Sequence, residues 1–228
     1  MKQNNKLKTF DQSLNSQEKS LLTHFLGISN PKVIIELGVH KGSTTKHIIQ
    51  FLEKNKIKSK IYGFDLDPVL NELLKNDEFI LSSVNKNILE LIGGYLPKSL
   101  RLFLTKVNPV VDFVLVDAKH QYKSVLSELE LIWPFLSNEG FIICHDYHKI
   151  RLQYAIEHFA KKRGAKFIPI LNTSPESNFQ SSFAVIAKPK LKINYFQWLM
   201  LHYDLNQVRG YYFLKRILKY FKILLKIK

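Results

Sequence analysis

Short runs of Val, Ile, Leu and Phe alternate along this chain with longer segments whose apolar residues recur every three or four positions. The runs are KVIIEL (32–37), KIYGFD (60–65), EFILSS (78–83), VDFVLVD (111–117), GFIICHD (140–146), AKFIPIL (165–171) and SSFAVIAK (181–188). Runs that are apolar on both faces suit strands covered by helices on either side, so the pattern predicts a largely parallel sheet. The clearest helix is predicted over 121–136, where Tyr122, Val125, Leu126, Leu129, Ile132, Trp133 and Leu136 share one face. Gly140 marks the return into a strand. The last two runs, separated by NTSPESNFQ, read as an antiparallel hairpin at a sheet edge. Strand–helix alternation that closes in a hairpin gives the fold class: α/β, doubly wound and Rossmann-like.

Composition adds one departure from the ordinary. The 228 residues suffice for one good-sized domain and an appendage, and 46% hydrophobic residues suit a globular protein. The net charge of +15 is unusual and points to an anionic partner: nucleic acid, an anionic membrane surface or an acidic substrate. From Lys188 onward ten Lys or Arg face a lone acid, Asp204, so the tail carries +9 of that charge. The lone cysteine, Cys144, forms no intramolecular disulfide and lies inside a predicted strand, where it is expected to be buried and inert. The polar N-terminus has no apolar signal-peptide core, and no uncharged apolar run approaches the roughly 18 residues of a membrane span. The expected location is the cytoplasm, with the membrane surface as the alternative.

In an open α/β sheet the ligand lies beyond the carboxyl ends of the strands, where strand order reverses. The first predicted strand ends in IIELGVHKGSTT (34–45). A dinucleotide site wants G-x-G-x-x-G, so that backbone amides face a pyrophosphate. Here Gly38 and Gly42 are spaced G-x-x-x-G, and Glu36 precedes them, where it would repel a pyrophosphate. A ligand with a cationic end and no phosphate resolves both oddities, and S-adenosylmethionine is such a ligand. The bland alternative is a glycine turn that merely starts a helix. Asp65, at the end of the second run, is placed to accept hydrogen bonds from ribose hydroxyls, and Asp67 to cap the next helix.

The stretches IELGVHKGSTT, YGFDLDP, VDFVLVDAKHQY and GFIICHDY resemble class I S-adenosylmethionine-dependent methyltransferases over about residues 30–188. They are most similar to the metal-dependent O-methyltransferase branch that includes the macrolide-sugar methyltransferases and the cephalosporin-hydroxylase-like group. The resemblance implies a seven-stranded, mostly parallel sheet with an antiparallel last strand. It implies a cofactor site of Glu36, Gly38, His40, Gly42, Ser43, Asp65 and Asp117, with the adenine contact at Ser82 or Ser83. Two departures stand out: Ala118 replaces the usual glycine of D-G-x-H, and LSSVNKN, at the expected third strand, lacks an acid.

Asp117 and Asp146 end strands predicted to be neighbours, about 5 Å apart, so both carboxylates face one small volume. That suits a divalent cation with oxygen ligands, magnesium in the family resembled. The resemblance adds His145 as a third ligand, and an imidazole shifts the preference toward manganese. The alternative is that His145 points into the helix layer and binds nothing. His120, three residues after Asp117, is placed to act as general base on an acceptor hydroxyl, the role of the matching histidine in the macrolide-sugar methyltransferases. Tyr122 reads as core, and His148, His158 and His202 as surface or satisfied histidines. NPV (108–110) precedes the fourth run and lacks an aromatic, which argues against an N-P-P-Y type of nitrogen methylation.

The expected organisation is a methyltransferase domain over 1–192 and a basic helical extension over 193–228. In the extension Lys215, Lys219, Lys222 and Lys226 form a narrow stripe on a helix whose other face is aliphatic and aromatic. Such a helix lies on an anionic membrane surface, or packs on its own domain or a second copy. Nucleic acid fits less well because of the aliphatic content. The expected activity is divalent-metal-assisted O-methylation of a sugar, glycan or other small molecule. The alternatives are a degenerate methyltransferase-fold module that binds membrane or nucleic acid, and a nicotinamide-dependent oxidoreductase.

Overall fold

A computed structural model describes residues 14–173 and 180–189. The chain divides after Leu191 into two units, and the second, Lys192–Lys228, lies outside the described residues. The expected basic helix and the membrane or subunit contacts assigned to it therefore lie outside them too.

The elements run, in chain order, α1 (Ser16–Ser29), β1 (Val33–Leu37), α2 (Ser43–Lys54), β2 (Lys60–Asp65), α3 (Asp67–Asn76), α4 (Glu78–Asn85), β3 (Leu89–Gly93), α5 (Lys98–Val107), β4 (Val111–Val116), α6 (Tyr122–Ile132), β5 (Leu136–His145), α7 (Ile150–Arg163), β6 (Lys166–Thr173) and β7 (Gln180–Ala187). The seven strands form one sheet in the order β3-β2-β1-β4-β5-β7-β6. β1 to β5 pair in parallel, and β7 runs antiparallel to both β5 and β6. The predicted α/β fold with an antiparallel last strand is borne out. Strand order reverses between β1 and β4, and the crevice above that point is where such folds bind ligands.

Two expectations are corrected. The run 78–83 is not the third strand but lies in α4, started by Asp77, whose Oδ1 accepts from Ile80 N at 3.1 Å. The third strand is Leu89–Gly93, an edge strand with Glu90 exposed, so it lacks the doubly apolar pattern of a buried strand. The helix expected over 121–136 ends at Ile132, because Pro134 has no N–H to continue it, and Leu136 already belongs to β5.

Alternation along the strands decides which helix layer each side chain meets. Ile35, Leu37, Val114, Val116, Ile142 and Cys144 join the core under α5, α6 and α7, with Phe103, Leu129, Ile156 and Phe159. Residues of the opposite parity face the other layer: Phe141 packs edge-on against Phe25 of α1, ring centroids 5.3 Å apart. Glu36, Asp117 and His145 share that second parity, which becomes important below. Among the described residues no helix is long and apolar enough to cross a membrane.

Candidate active site

The turn after β1 is built by close approach. Gly38 has φ +97°, and a Cβ there would lie 2.4 Å from the Asp117 carbonyl oxygen. Gly38 N donates to Phe64 O, and Asp117 N donates to Leu37 O, so the ends of β1, β2 and β4 are tied at one point. Gly42, with φ +70°, starts α2 without any side-chain cap, which leaves the first amides of that helix, beginning at Ser43, for another acceptor. His40 is exposed, and its backbone N donates to Asp65 Oδ2 at 2.8 Å, while Leu66 N donates to Asp65 Oδ1 at 2.7 Å. Asp65 is thereby fixed at the rim beside the turn, with lone pairs left for hydroxyl donors.

Glu36 lies beneath the turn and is wholly buried. Its Oε2 accepts from Thr45 Oγ1 at 2.7 Å, and its Oε1 has no hydrogen-bond partner. Burial pushes its pKa up to about 8; the Thr45 bond opposes that rise, and the charges of Asp117 and Asp65 add to it. A buried acceptor without a partner is the feature that a donor supplied by a ligand or a water would satisfy.

Ser83 does not lie at a strand end. It is buried in α4, and its hydroxyl donates to Phe79 O at 2.8 Å. The carboxyl end of β3 is Gly93, where an added Cβ would collide with the Asp67 carboxylate. Asp67 is therefore folded against β3 rather than capping α3, whose N-cap is Leu66.

Beyond β4 and β5, Asp117, His120 and Asp146 bring ligand atoms within 4.8 Å of one another, all three side chains half-buried. Asp146 leaves the strand through a left-handed turn, φ 57°, which an aspartate tolerates. His120 Nε2 is 2.8 Å from Asp146 Oδ2 and 3.9 Å from Asp117 Oδ1, yet makes no hydrogen bond of proper geometry with either. Lys149 Nζ reaches the same Oδ2 at 2.5 Å. Burial would raise the Asp146 pKa, but His120, His145 and Lys149 outweigh it and hold the carboxyl well below the usual range.

His145 borders this group, its Nδ1 3.0 Å from Asp117 Oδ1 and 3.9 Å from Asp146 Oδ1. Strand alternation aims it at the α1 layer. There Nδ1 donates to Asp117 Oδ1 and Nε2 to Glu18 Oε1, both at 3.0 Å. Burial disfavours the imidazolium, but the two carboxylates outweigh it and raise the pKa to about 10.

Sequence reasoning missed α1, Glu18 and Lys149. Asn15 and Glu18 form a capping box, a signal present in the sequence. Of the other histidines, His158 bonds Tyr122 Oη at 2.6 Å and His148 bonds Ser182, as expected of satisfied rings, while His202 lies outside the described residues.

Residues 35–147 match the family model described as a methyltransferase domain. Among solved structures, the chain is similar to an O-methyltransferase from Bacillus cereus in complex with SAH, at 13% identity and TM-score 0.62, covering 78% of this chain and 84% of that one. It is similar to the O-methyltransferase TomG from Streptomyces achromogenes, in complex with SAM, at 9% identity and TM-score 0.59, covering 78% and 82%. An rRNA methylase from Streptococcus thermophilus matches at 15% identity and TM-score 0.54, covering 77% and 97%. No protein of curated function matches the sequence. At these identities the structural likeness establishes the fold, and the fold does not fix the acceptor. Residues 35–147 thus match a methyltransferase domain, and the similar solved methyltransferases share the fold of the chain.

Proposed function

We propose that the protein is an O-methyltransferase that uses S-adenosylmethionine and a divalent cation to methylate a hydroxyl of a sugar, glycan or other small molecule. One observation carries this reading. The Gly38 turn and Asp65 lie at the ends of β1 and β2, and the Asp117–His120–Asp146 group lies at the ends of β4 and β5, on the two sides of the reversal in strand order. The residues present fit both groups. α2 begins at Gly42 with no side-chain cap, which leaves its first amides for a ligand, and Glu36 Oε1 lacks a partner, as a cofactor cradle requires. Two carboxylates and a nearby imidazole suit magnesium or manganese.

S-adenosylmethionine, when bound, supplies a methyl group whose sulfur leaves as a neutral thioether, and a divalent cation acidifies a hydroxyl beside it. Asp65 accepts from the ribose hydroxyls. The Gly38 turn and the start of α2, at Gly42 and Ser43, cradle the rest of the cofactor, with His40 at its rim and Glu36 below. Asp117 and Asp146 would hold the cation. His120, at the edge of that pair, would take the proton of the acceptor hydroxyl as general base. A nicotinamide cofactor fits less well, because the turn lacks the third glycine of a pyrophosphate cradle.

The test is transfer of isotopically labelled methyl from S-adenosylmethionine to a panel of glycans and small hydroxylated compounds. Transfer should require manganese or magnesium and should fail after chelation. His120→Ala should slow it about 10²–10⁴-fold, the usual contribution of a general base, while cofactor binding persists. Transfer that survives exhaustive chelation would contradict the role of the cation.

A further inference from the structure

Asp146, read as a metal ligand, is ringed by basic side chains, of which Lys149 lies nearest. Its Oδ2 is 2.5 Å from Lys149 Nζ and 2.8 Å from His120 Nε2. Its Oδ1 is 3.8 Å from His148 Nδ1 and 3.9 Å from His145 Nδ1. The backbone builds this arrangement: the left-handed turn at Asp146 is closed by Lys149 N donating to Asp146 O at 2.9 Å, so the ammonium returns to the carboxylate three residues back. The neighbouring carboxylate is also compensated, since His145 donates to Asp117 Oδ1. Each of the two acids thus has a cationic partner drawn from this chain.

A divalent ion held by Asp146 would lie close to the Lys149 ammonium if that stayed in place, and the two would repel. Lys149 is free to move aside, because its side chain is 42% exposed and, among the described residues, it pairs with Asp146 alone.

We infer that Lys149 is a built-in counter-ion of this site, seated on Asp146 Oδ2, and that a divalent cation must displace it to enter. This rests on the reading of Asp117 and Asp146 as cation ligands. The consequence is a weak, exchangeable metal site, filled from solution rather than permanently loaded.

The experiment is manganese binding to the full chain, followed by the loss of the free Mn²⁺ electron paramagnetic resonance signal. Wild type is compared with Lys149→Met, Lys149→Gln and Lys119→Met. Lys119 is the control for long-range charge, because its ammonium lies over the Tyr95 ring, 5.8 Å from the centroid, rather than on a carboxylate of the group. Both Lys149 variants should bind Mn²⁺ about three- to tenfold more tightly, the scale of one partly exposed ion pair removed. The Lys119 variant should change less than about twofold. A gain in affinity cannot come from a damaged fold, so the sign separates displacement from misfolding. Binding by the Lys149 variants alone would also support the inference. Equal or weaker binding by them would overturn it and leave the cation reading standing. Binding by no protein would overturn both.

Discussion

His145 Nε2, at the end of β5, meets Glu18 Oε1, in the first turn of α1, at 3.0 Å across 127 positions of sequence. The contact makes an imidazolium strut between the N-terminal helix and Asp117 of the candidate site. Glu18→Gln keeps the capping box but removes the charge, so it should cost about 1–3 kcal/mol, as for a hydrogen bond to a charged group. The loss should depend on pH. His145 is raised from its ordinary 6.5 to about 10. The strut therefore stabilises fully below about pH 6.5, and its contribution fades as pH rises toward 10. Urea unfolding of wild type and variant at pH 6, 8 and 10 should show a gap that closes with rising pH. A gap that widens would contradict the protonated strut.

Glu36 carries a second pH signature. Its pKa lies at about 8 in the folded chain, against an ordinary 4.5. Between those values the unfolded chain releases this proton while the folded chain keeps it. Stability from this residue is therefore greatest below about pH 4.5, falls as pH rises to 8, and then levels. Glu36→Gln should flatten that slope, stabilising the protein at pH 8 relative to wild type, and should weaken cofactor binding. Paired urea and calorimetric titrations at pH 4.5 and 8 check both outcomes.

Gly38→Ala tests the turn. The new methyl group meets the Asp117 carbonyl at 2.4 Å, on a backbone with φ +97°. Strain and overpacking together should cost about 2–5 kcal/mol, read as a lowered urea midpoint. A variant as stable as wild type would show that β1 and β4 are not so closely joined.

Cys144 is 1% exposed, and burial, aided by the Glu128 charge, pushes its thiol far above the ordinary range. It should resist a thiol reagent such as a disulfide dye in buffer and react fully in denaturing urea. Rapid reaction of the folded protein would mean that β5 opens readily.

The ends of β1, β2, β4 and β5 were legible because buried parallel strands read as continuous apolar runs, and Glu36, Gly38, Asp65, Asp117 and Asp146 punctuate them. β3 was not, since an edge strand alternates like a surface segment, while the apolar run at 78–83 belonged to a short capped helix. Which way His145 points depends on strand parity relative to α1, and α1 itself escaped notice despite its capping box. The Glu18–His145 contact joins residues too far apart in sequence for any local pattern to reveal. The Asp146–Lys149 pair is local, three residues apart, but only the left-handed turn at Asp146 brings the ammonium back.

The central claim is that the Gly38 turn and Asp65 hold S-adenosylmethionine. The most direct measurement is calorimetric titration of the full chain with S-adenosylhomocysteine and, separately, with NAD. The account predicts saturable S-adenosylhomocysteine binding, no NAD binding, and a loss of about 1–3 kcal/mol in Asp65→Ala, the scale of hydrogen bonds to a charged acceptor left unmade. Binding of NAD instead, or S-adenosylhomocysteine affinity unchanged by Asp65→Ala, would contradict it.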